Sequence, residues 1–418
     1  MKKLLILGAN PETIPLIQTA NALGYYTIVT DNVPNAIAKK YAAEGIDIDG
    51  TNVDMLVSYC VAKQVDGVLV GVADRLIQPY NKVCHRLNVP CYATEMQADV
   101  LTDKDKFNTL CNEYNIRTIP SMKIYKKEIP NIWSSASMRR LASEQITVIK
   151  PVDSNSGKGM RICASANTLL PSILNAFKFT KREFVLVERF MQCRDVIITY
   201  TIINGNPILS LIGDRYTCSE QGTLSRVCQG AIYPSTLHDL YKDTVHDKMV
   251  NMMKGIGLKN AILTVSAFFE DGIFYHYDPG FRLQGEAPDV HIEKITGFDQ
   301  KKFLIDIAMA NTIDSYHITD ESLLSGTIWF LAKAGVIGNT SGFYDLQQHP
   351  YVIKVSQRLF DGDTVSNNMI GTEGQVVARV YFQCPKENAG YVIKQIQQSV
   401  AVTDVNGNNQ LLNGFIYE

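Results

Sequence analysis

The first hundred residues alternate between short apolar runs and amphipathic stretches. "KLLILGA" reads as a buried strand, "IPLIQTANALG" as a helix closed by Gly24, and "YYTIVTD" as a second strand ending at Asp31. A further helix and the strand "VDGVLVGV" follow. Strands alternating with helices predict a parallel α/β sheet over residues 1–100, with any ligand at the carboxyl ends of its strands.

The rhythm changes at "TDKDKFNTLCNEYNIRTIPSM", where an amphipathic helix ends at Asn115 and Pro120 opens a strand-rich region. The strands "FVLVERF", "VIITYTIINGNPIL" and "AILTVSAFFEDGIFYHYD" lie among helices, which predicts α+β architecture over residues 101–320. Residues 321–418, with "GTIWFLAKAGVIG", "QVVARVYFQC" and "GYVIKQIQQSV", read as a small mixed α+β module. A chain of 418 residues exceeds the roughly 250–300 at which one core stops growing, in keeping with three units.

Composition removes several function classes. Forty basic against 42 acidic residues leave a net charge of -2, without the broad field that nucleic acid or an anionic membrane needs. Nine cysteines with no CxxC pair suggest neither a zinc knuckle nor a disulfide framework, and predict a reducing cytoplasm. The opening "MKKLLILGAN" imitates a signal peptide, but its apolar run is short and leads into "NPETIPLIQ", so it reads as a first strand. No window approaches the roughly 18 apolar residues of a membrane span.

Gly8 opens the first strand-to-helix turn, but the text GANPET lacks the further glycines of a dinucleotide fingerprint, which counts against an NAD-dependent oxidoreductase. The chemistry gathers later. After the apolar "QITVI" comes "KPVDSNSGKG": Lys150, then a loop of Ser154, Asn155, Ser156, Gly157, Lys158 and Gly159. Backbone N–H groups, hydroxyls and ammonium charge suit a polyphosphate, and glycine lets the backbone approach it. The loop is no Walker A motif, and a solvated hairpin turn is the competing reading.

With Lys104 upstream and Glu188 and Asp195 downstream of Lys150, the chain resembles the ATP-grasp superfamily, particularly the biotin carboxylase and carbamoyl phosphate synthetase large-chain branch. The resemblance rests on Asp103-Lys104-Asp105-Lys106-Phe107, the strand lysine Lys150, the glycine-bearing loop and "VERFMQCRD". It implies a pre-ATP-grasp first domain, an ATP-grasp domain with a lid around 150–215, and ATP held by Lys104, Lys150, Ser154, Ser156, Gly157, Lys158, Gly159, Glu188 and Asp195. Cys193 replaces a glycine of the family pattern, and Asp195 replaces a glutamate.

The resemblance further implies magnesium, with manganese as a substitute, on a strand acid and a Glu-x-Asn-Pro-Arg-like hairpin. Here the text is "AFFEDGIFYHYDPGFRLQGE". One register aligns His276 with the family glutamate and puts Ser266 at the first acid. The other makes Asp278 that glutamate, with Glu270 or water as the other ligand and Arg282 four residues on, placed to hold a phosphoryl group. Imidazole and serine are weak magnesium ligands, and strict alternation would put Phe274, His276 and Asp278 on one face.

Residues 214–235 read as a polar loop, either plainly exposed or laid over an acceptor with Arg215 and Arg226 as anion holders. Cys218 and Cys228 have no base beside them, and Trp133 and Trp329 suit cores. The resemblance implies an ADP-producing carboxylate-amine ligase working through an acyl phosphate, on small-molecule substrates, as a homodimer. A nucleotide-binding protein without ligase activity stays open on Ser266, His276 and Cys193.

Overall fold

The computed structural model describes residues 1–134, 146–153, 159–191, 193–218, 227–313 and 323–417. Lys3–Leu7 (β1), Tyr26–Thr30 (β2), Glu44–Ile46 (β3) and Gly67–Val70 (β4) form an all-parallel sheet in the order β3-β2-β1-β4. Helices Ile14–Ala22 (α1), Val53–Lys63 (α2) and Ile77–Leu87 (α3) accompany it. Leu4 to Leu7 and Val68 to Val70 are almost wholly buried, so these strands read as continuous apolar runs rather than alternating ones.

Two helices then lead out of this layer. Thr94 and Gln97 cap Glu95–Thr102 (α4) reciprocally. Asp103 ends α4 and caps Lys104–Glu113 (α5) by accepting from the N–H groups of Asp105 and Lys106. The "TDKDKF" text is thus a helix stop, a cap and a helix start in succession. Tyr92 Oη donates to the Phe281 carbonyl at 3.0 Å and Gln97 Nε2 to that of Ile256 at 2.9 Å, tying the first domain to the second.

Ser121–Tyr125 (β5), Thr147–Lys150 (β6), Arg161–Cys163 (β7) and Phe184–Arg189 (β8) make a small antiparallel sheet in the order β5-β8-β6-β7. Ile124, Ile149, Val185 and Val187 bury their inward faces with Leu169 and Ile173 of helix Ala166–Ala176 (α6).

The largest sheet has eight antiparallel strands. It contains Arg194–Ile203 (β9), Asn206–Cys218 (β10), Val227–Tyr233 (β11), Ala261–Glu270 (β12), Ile273–Gly280 (β13), Leu323–Leu331 (β14), Val352–Gln357 (β16) and Val376–Pro385 (β18). Its order is β13-β12-β9-β10-β11-β14-β18-β16. Three strands from beyond residue 320 therefore complete the sheet of the preceding region. Only Gly335–Ser341 (β15), Thr364–Val365 (β17) and Ala401–Asp404 (β19) form a sheet of their own there. Much of the stretch expected as a polar loop at 214–235 is likewise ladder, with Asp214 to Cys218 paired to Val227 to Ile232. Among the described residues, no helix is long and apolar enough to cross a membrane.

Candidate active site

Lys150 ends β6 beside Glu188 near the end of β8, where Val148 lies opposite Glu188 in the ladder. Lys150 Nζ and Glu188 Oε2 are 2.7 Å apart, with their side chains only 12% and 5% exposed. Desolvating two charges is costly, so each depends on the other for its place in this wall. Beyond Lys150, Gly159 lies at φ +78, where an added Cβ would come to 2.7 Å from the Phe179 Cβ and 2.8 Å from its ring. Only glycine fits this position. Ser154, Asn155, Ser156, Gly157 and Lys158 lie outside the described residues, as does Arg226.

From α5, Lys104 Nζ reaches Asp278 Oδ1 at 3.1 Å. An ammonium in the first turn of a helix opposes the helix dipole, and Asp278 offsets this. Asp278 also holds the Lys104 pKa above its usual value against burial. Burial pushes the Asp278 carboxyl up, but Lys104, Lys150 and Arg282 outweigh it and keep the carboxyl below its ordinary value.

A β-bulge decides which side chains share this wall. Ser266 pairs with Asp278, but the next residue, Ala267, pairs with His276, leaving Tyr277 as the extra residue. The bulge breaks strict alternation, so His276 and Asp278 do not share a face as expected. His276 is fully buried: its Nδ1 and the Arg117 carbonyl are 3.0 Å apart, and its Nε2 and Tyr241 Oη 3.3 Å. Burial pushes its pKa down to about 4. It is a satisfied structural histidine, and its expectation as a metal ligand is corrected.

Glu270 is corrected too. It sits opposite Ile273 at the far end of the hairpin, four residues from Ser266, or roughly 13 Å at strand rise, and it is ion-paired to Arg189. Ser266 is the residue that faces Asp278.

Arg215 on β10 occupies the other side of the wall. Its Nε and Nη2 lie 2.9 and 2.8 Å from Glu286 Oε2, while Nη1 donates to Ser266 Oγ at 2.8 Å and stands 3.6 Å from Asp195 Oδ1. Tyr277 Oη donates to Asp195 at 3.2 Å, and its ring stacks on Phe268 at 4.6 Å. Lys150, Glu188, Asp195, Arg215, Tyr277 and Glu286 border a cavity of about 320 Å³ whose remaining lining is largely apolar, with Ile162, Met191 and Phe268 among it.

Arg282 is held by Asp74, which follows β4 in the first domain, and by the Leu283 carbonyl and Gln284 Oε1, both at 2.9 Å. The Arg282 Nε and Asp74 Oδ1 are buried without a hydrogen-bond partner. Burial pushes the Asp74 carboxyl up, with Arg282 opposing. Sequence reasoning missed Asp74, Tyr277 and Glu286. Asp74 had a readable signal, since it stands just past the carboxyl end of a parallel strand.

Burial pushes the Cys228 thiol well up, and its Sγ donates to the Gly230 carbonyl at 3.3 Å, both of which disfavour the thiolate. Trp329 is buried under the Arg379 guanidinium.

The donor set does not fit a resident magnesium ion. Asp278 is the one acid in this stretch of the hairpin, it is paired to Lys104, and its cross-strand partner is a serine that accepts from Arg215. Among the described residues, no three His, Cys, Asp or Glu side chains converge to hold a metal. Magnesium seeks several hard oxygen ligands in near-octahedral array.

A family model described as the carbamoyl-phosphate synthase L chain, ATP binding domain, matches residues 103–316, just over half of the chain. The carbamoyl phosphate synthase large chain of Rhodopirellula baltica is 20% identical over 341 residues, covering 77% of this chain and 30% of that protein. The chain thus spans under a third of the length of that relative, and also of the one from Clostridium perfringens strain 13, at 29%. Among solved structures, the L-amino acid ligase of Bacillus licheniformis superposes with a TM-score of 0.80 at 14% identity, covering 97% of this chain and 99% of that one. The biotin carboxylase domain of Hydrogenobacter thermophilus 2-oxoglutarate carboxylase, solved as a dimer with MgADP, ADP and bicarbonate, gives 0.73 at 19% identity, covering 96% and 90%. The matched segment begins at Asp103, the cap that presents Lys104, and runs past Arg282, so it takes in every described wall residue but Asp74; the chain belongs to the carbamoyl-phosphate synthase L chain ATP-binding family and has the ATP-grasp fold.

Proposed function

We propose that this chain is an ATP-dependent ligase that activates a carboxylate as an acyl phosphate and passes it to an amine. The observation that carries the reading is that Lys104 and Lys150, each seated on an acid, both act electrostatically on the one carboxylate Asp278. A carboxylate oxygen attacks the γ-phosphorus, the bond to the β-phosphate bridging oxygen breaks, and ADP leaves. The amine then attacks the acyl carbon, phosphate departs, and the amine loses a proton. Little covalent chemistry falls to the protein in such a transfer, so positioning and electrostatics dominate.

In this reading Lys150 and Lys104 hold phosphate oxygens, exchanging part of their acid contacts for them. The unpartnered Nε edge of Arg282 meets the transferred group, as the developing charge demands. The apolar part of the cavity takes the adenine, with Glu188 and Asp195 at its border. Asp278 orients Lys104. No step runs through a protein-held metal, because among the described residues no three His, Cys, Asp or Glu side chains converge to hold one. A homodimer and a cytoplasmic setting belong to the proposal on the resemblance alone.

The pairing of Ser266 with Asp278 favours one competing reading, a nucleotide binder that does not ligate. The test is ADP release from ATP with pooled carboxylates and amines. Release that needs both pools and is lost in Lys150→Met supports the ligase. Nucleotide binding with no carboxylate-dependent ADP release selects the binder.

A further inference from the structure

Arg215, expected in a polar loop, is instead fixed within a strand and faces the same cavity as Lys150. Its side chain is 10% exposed and is held from two sides, by Glu286 through Nε and Nη2 and by Ser266 through Nη1. Burial works against its charge, and Glu286 and Asp195 outweigh that, so the guanidinium stays cationic.

Its position has a chemical meaning. Residues directly opposite on antiparallel strands have Cβ atoms about 5 Å apart, a spacing from which two carboxylates could share one divalent ion. Ser266 and Asp278 are such a pair, with an acid on one side only. The hydroxyl that replaces the second acid accepts from Arg215 at 2.8 Å. Positive charge therefore stands beside Ser266, across the ladder from Asp278, as a covalently attached guanidinium, whose planar donor fork suits phosphate oxygens and sheds water more readily than an ammonium.

We propose that Arg215 is the resident cation of this site, meeting the nucleotide's phosphates directly in place of a divalent ion held between strands β12 and β13. The inference rests on the nucleotide reading above. It adds that ADP binds without metal.

Isothermal titration of the full chain with ADP, once in EDTA and once in excess magnesium, tests it. The expected dissociation constants agree within about threefold, and Arg215→Met weakens binding in EDTA by about tenfold or more, the loss typical of one charge-assisted contact. Binding tenfold or more tighter in magnesium overturns the proposal and leaves the nucleotide reading standing. Unweakened binding by Arg215→Met in EDTA also overturns it. No binding in either buffer overturns both. Because Glu286 and Asp195 lose their partner in Arg215→Met, that variant is first checked by circular dichroism. Should it not fold, the two-buffer comparison on the unaltered chain still decides.

Discussion

Lys150→Met separates the lysine's structural role from its binding role. In the folded chain its ammonium lies 2.7 Å from Glu188, whose side chain is only 5% exposed, so truncation leaves a carboxylate buried without its partner. Breaking a buried pair at one end costs about 3–5 kcal/mol, whereas replacing both ends by neutral groups of similar shape is close to neutral. The strain falls on the four-stranded sheet, since β6 and β8 are adjacent there and Leu186 pairs with Lys150 itself. Native-state hydrogen exchange is the fitting assay, because a chain of several domains has no single unfolding free energy. Amides of β6 and β8 should exchange faster by roughly two to four orders of magnitude in Lys150→Met, by roughly 3–5 kcal/mol of lost protection. Protection should return in the double variant Lys150→Met/Glu188→Gln. ADP affinity should not return in the double variant, remaining at least about tenfold weaker than in the unaltered chain, because the phosphate contact is absent in both. Full protection in the single variant, or recovered affinity in the double, would refute the assignment.

Asp278→Asn removes a negative charge from a wall that receives a polyanion and frees Lys104, so ADP in EDTA should bind about three- to tenfold tighter by titration; weaker binding would contradict its role as a partner of Lys104. Gly159→Ala forces a side chain into a φ of +78 and against Phe179, so it should destabilise the lobe by roughly 1–3 kcal/mol, read as faster exchange in the β7 amides. His291 is buried between Ser325 Oγ and Thr327 Oγ1, both at 2.7 Å, and burial pushes its pKa from 6.5 down to about 3. The unfolded chain takes this proton first, so stability present above about pH 6.5 is lost as pH falls toward the folded value. The loss reaches roughly 3 kcal/mol by about pH 4. Melting curves across that window should be flatter for His291→Gln, and equal slopes would remove His291 as their cause.

What the sequence disclosed and what it concealed divide along physical lines. Lys150 drew notice because it follows an apolar run that reads as a buried strand, where a charge needs a reason, and Glu188 because the resemblance places an acid at the end of a later strand. Lys104 was singled out only through the resemblance, in the text Asp103-Lys104-Asp105-Lys106-Phe107, and the structure supplies the physical reason for its placement, since Asp103 caps the helix that Lys104 begins. The face of Asp278 was not legible. Alternation along "IFYHYD" is interrupted by a bulge at Tyr277, and the bulge comes from cross-strand pairing with Ser266 and Ala267, which no local residue marks. Glu270 looked available for the same reason, since its partner Arg189 comes from a strand 81 positions away. The boundary at residue 320 was placed where the pattern changes, but β11 pairs with β14 across it, and antiparallel pairing leaves no trace in the sequence of either strand.

Each of these four basic groups is already answered by an acid: Lys104 by Asp278, Lys150 by Glu188, Arg215 by Glu286 and Asp195, Arg282 by Asp74. A bare cationic pocket would draw any polyanion and would repel itself when empty. A compensated one holds its cations in position at little electrostatic cost, and a phosphate must then compete with a carboxylate at each contact. The gain from any single contact is therefore modest, and it becomes substantial only for a ligand that meets several of these cations together and fills the apolar part of the cavity as well. A nucleotide has that shape, with charge at one end and a flat apolar base at the other, whereas free phosphate does not. Selectivity for the whole nucleotide thus follows from the pairing itself, and neutralising one acid, as in Asp278→Asn, should tighten phosphate-only ligands by a larger factor than ADP.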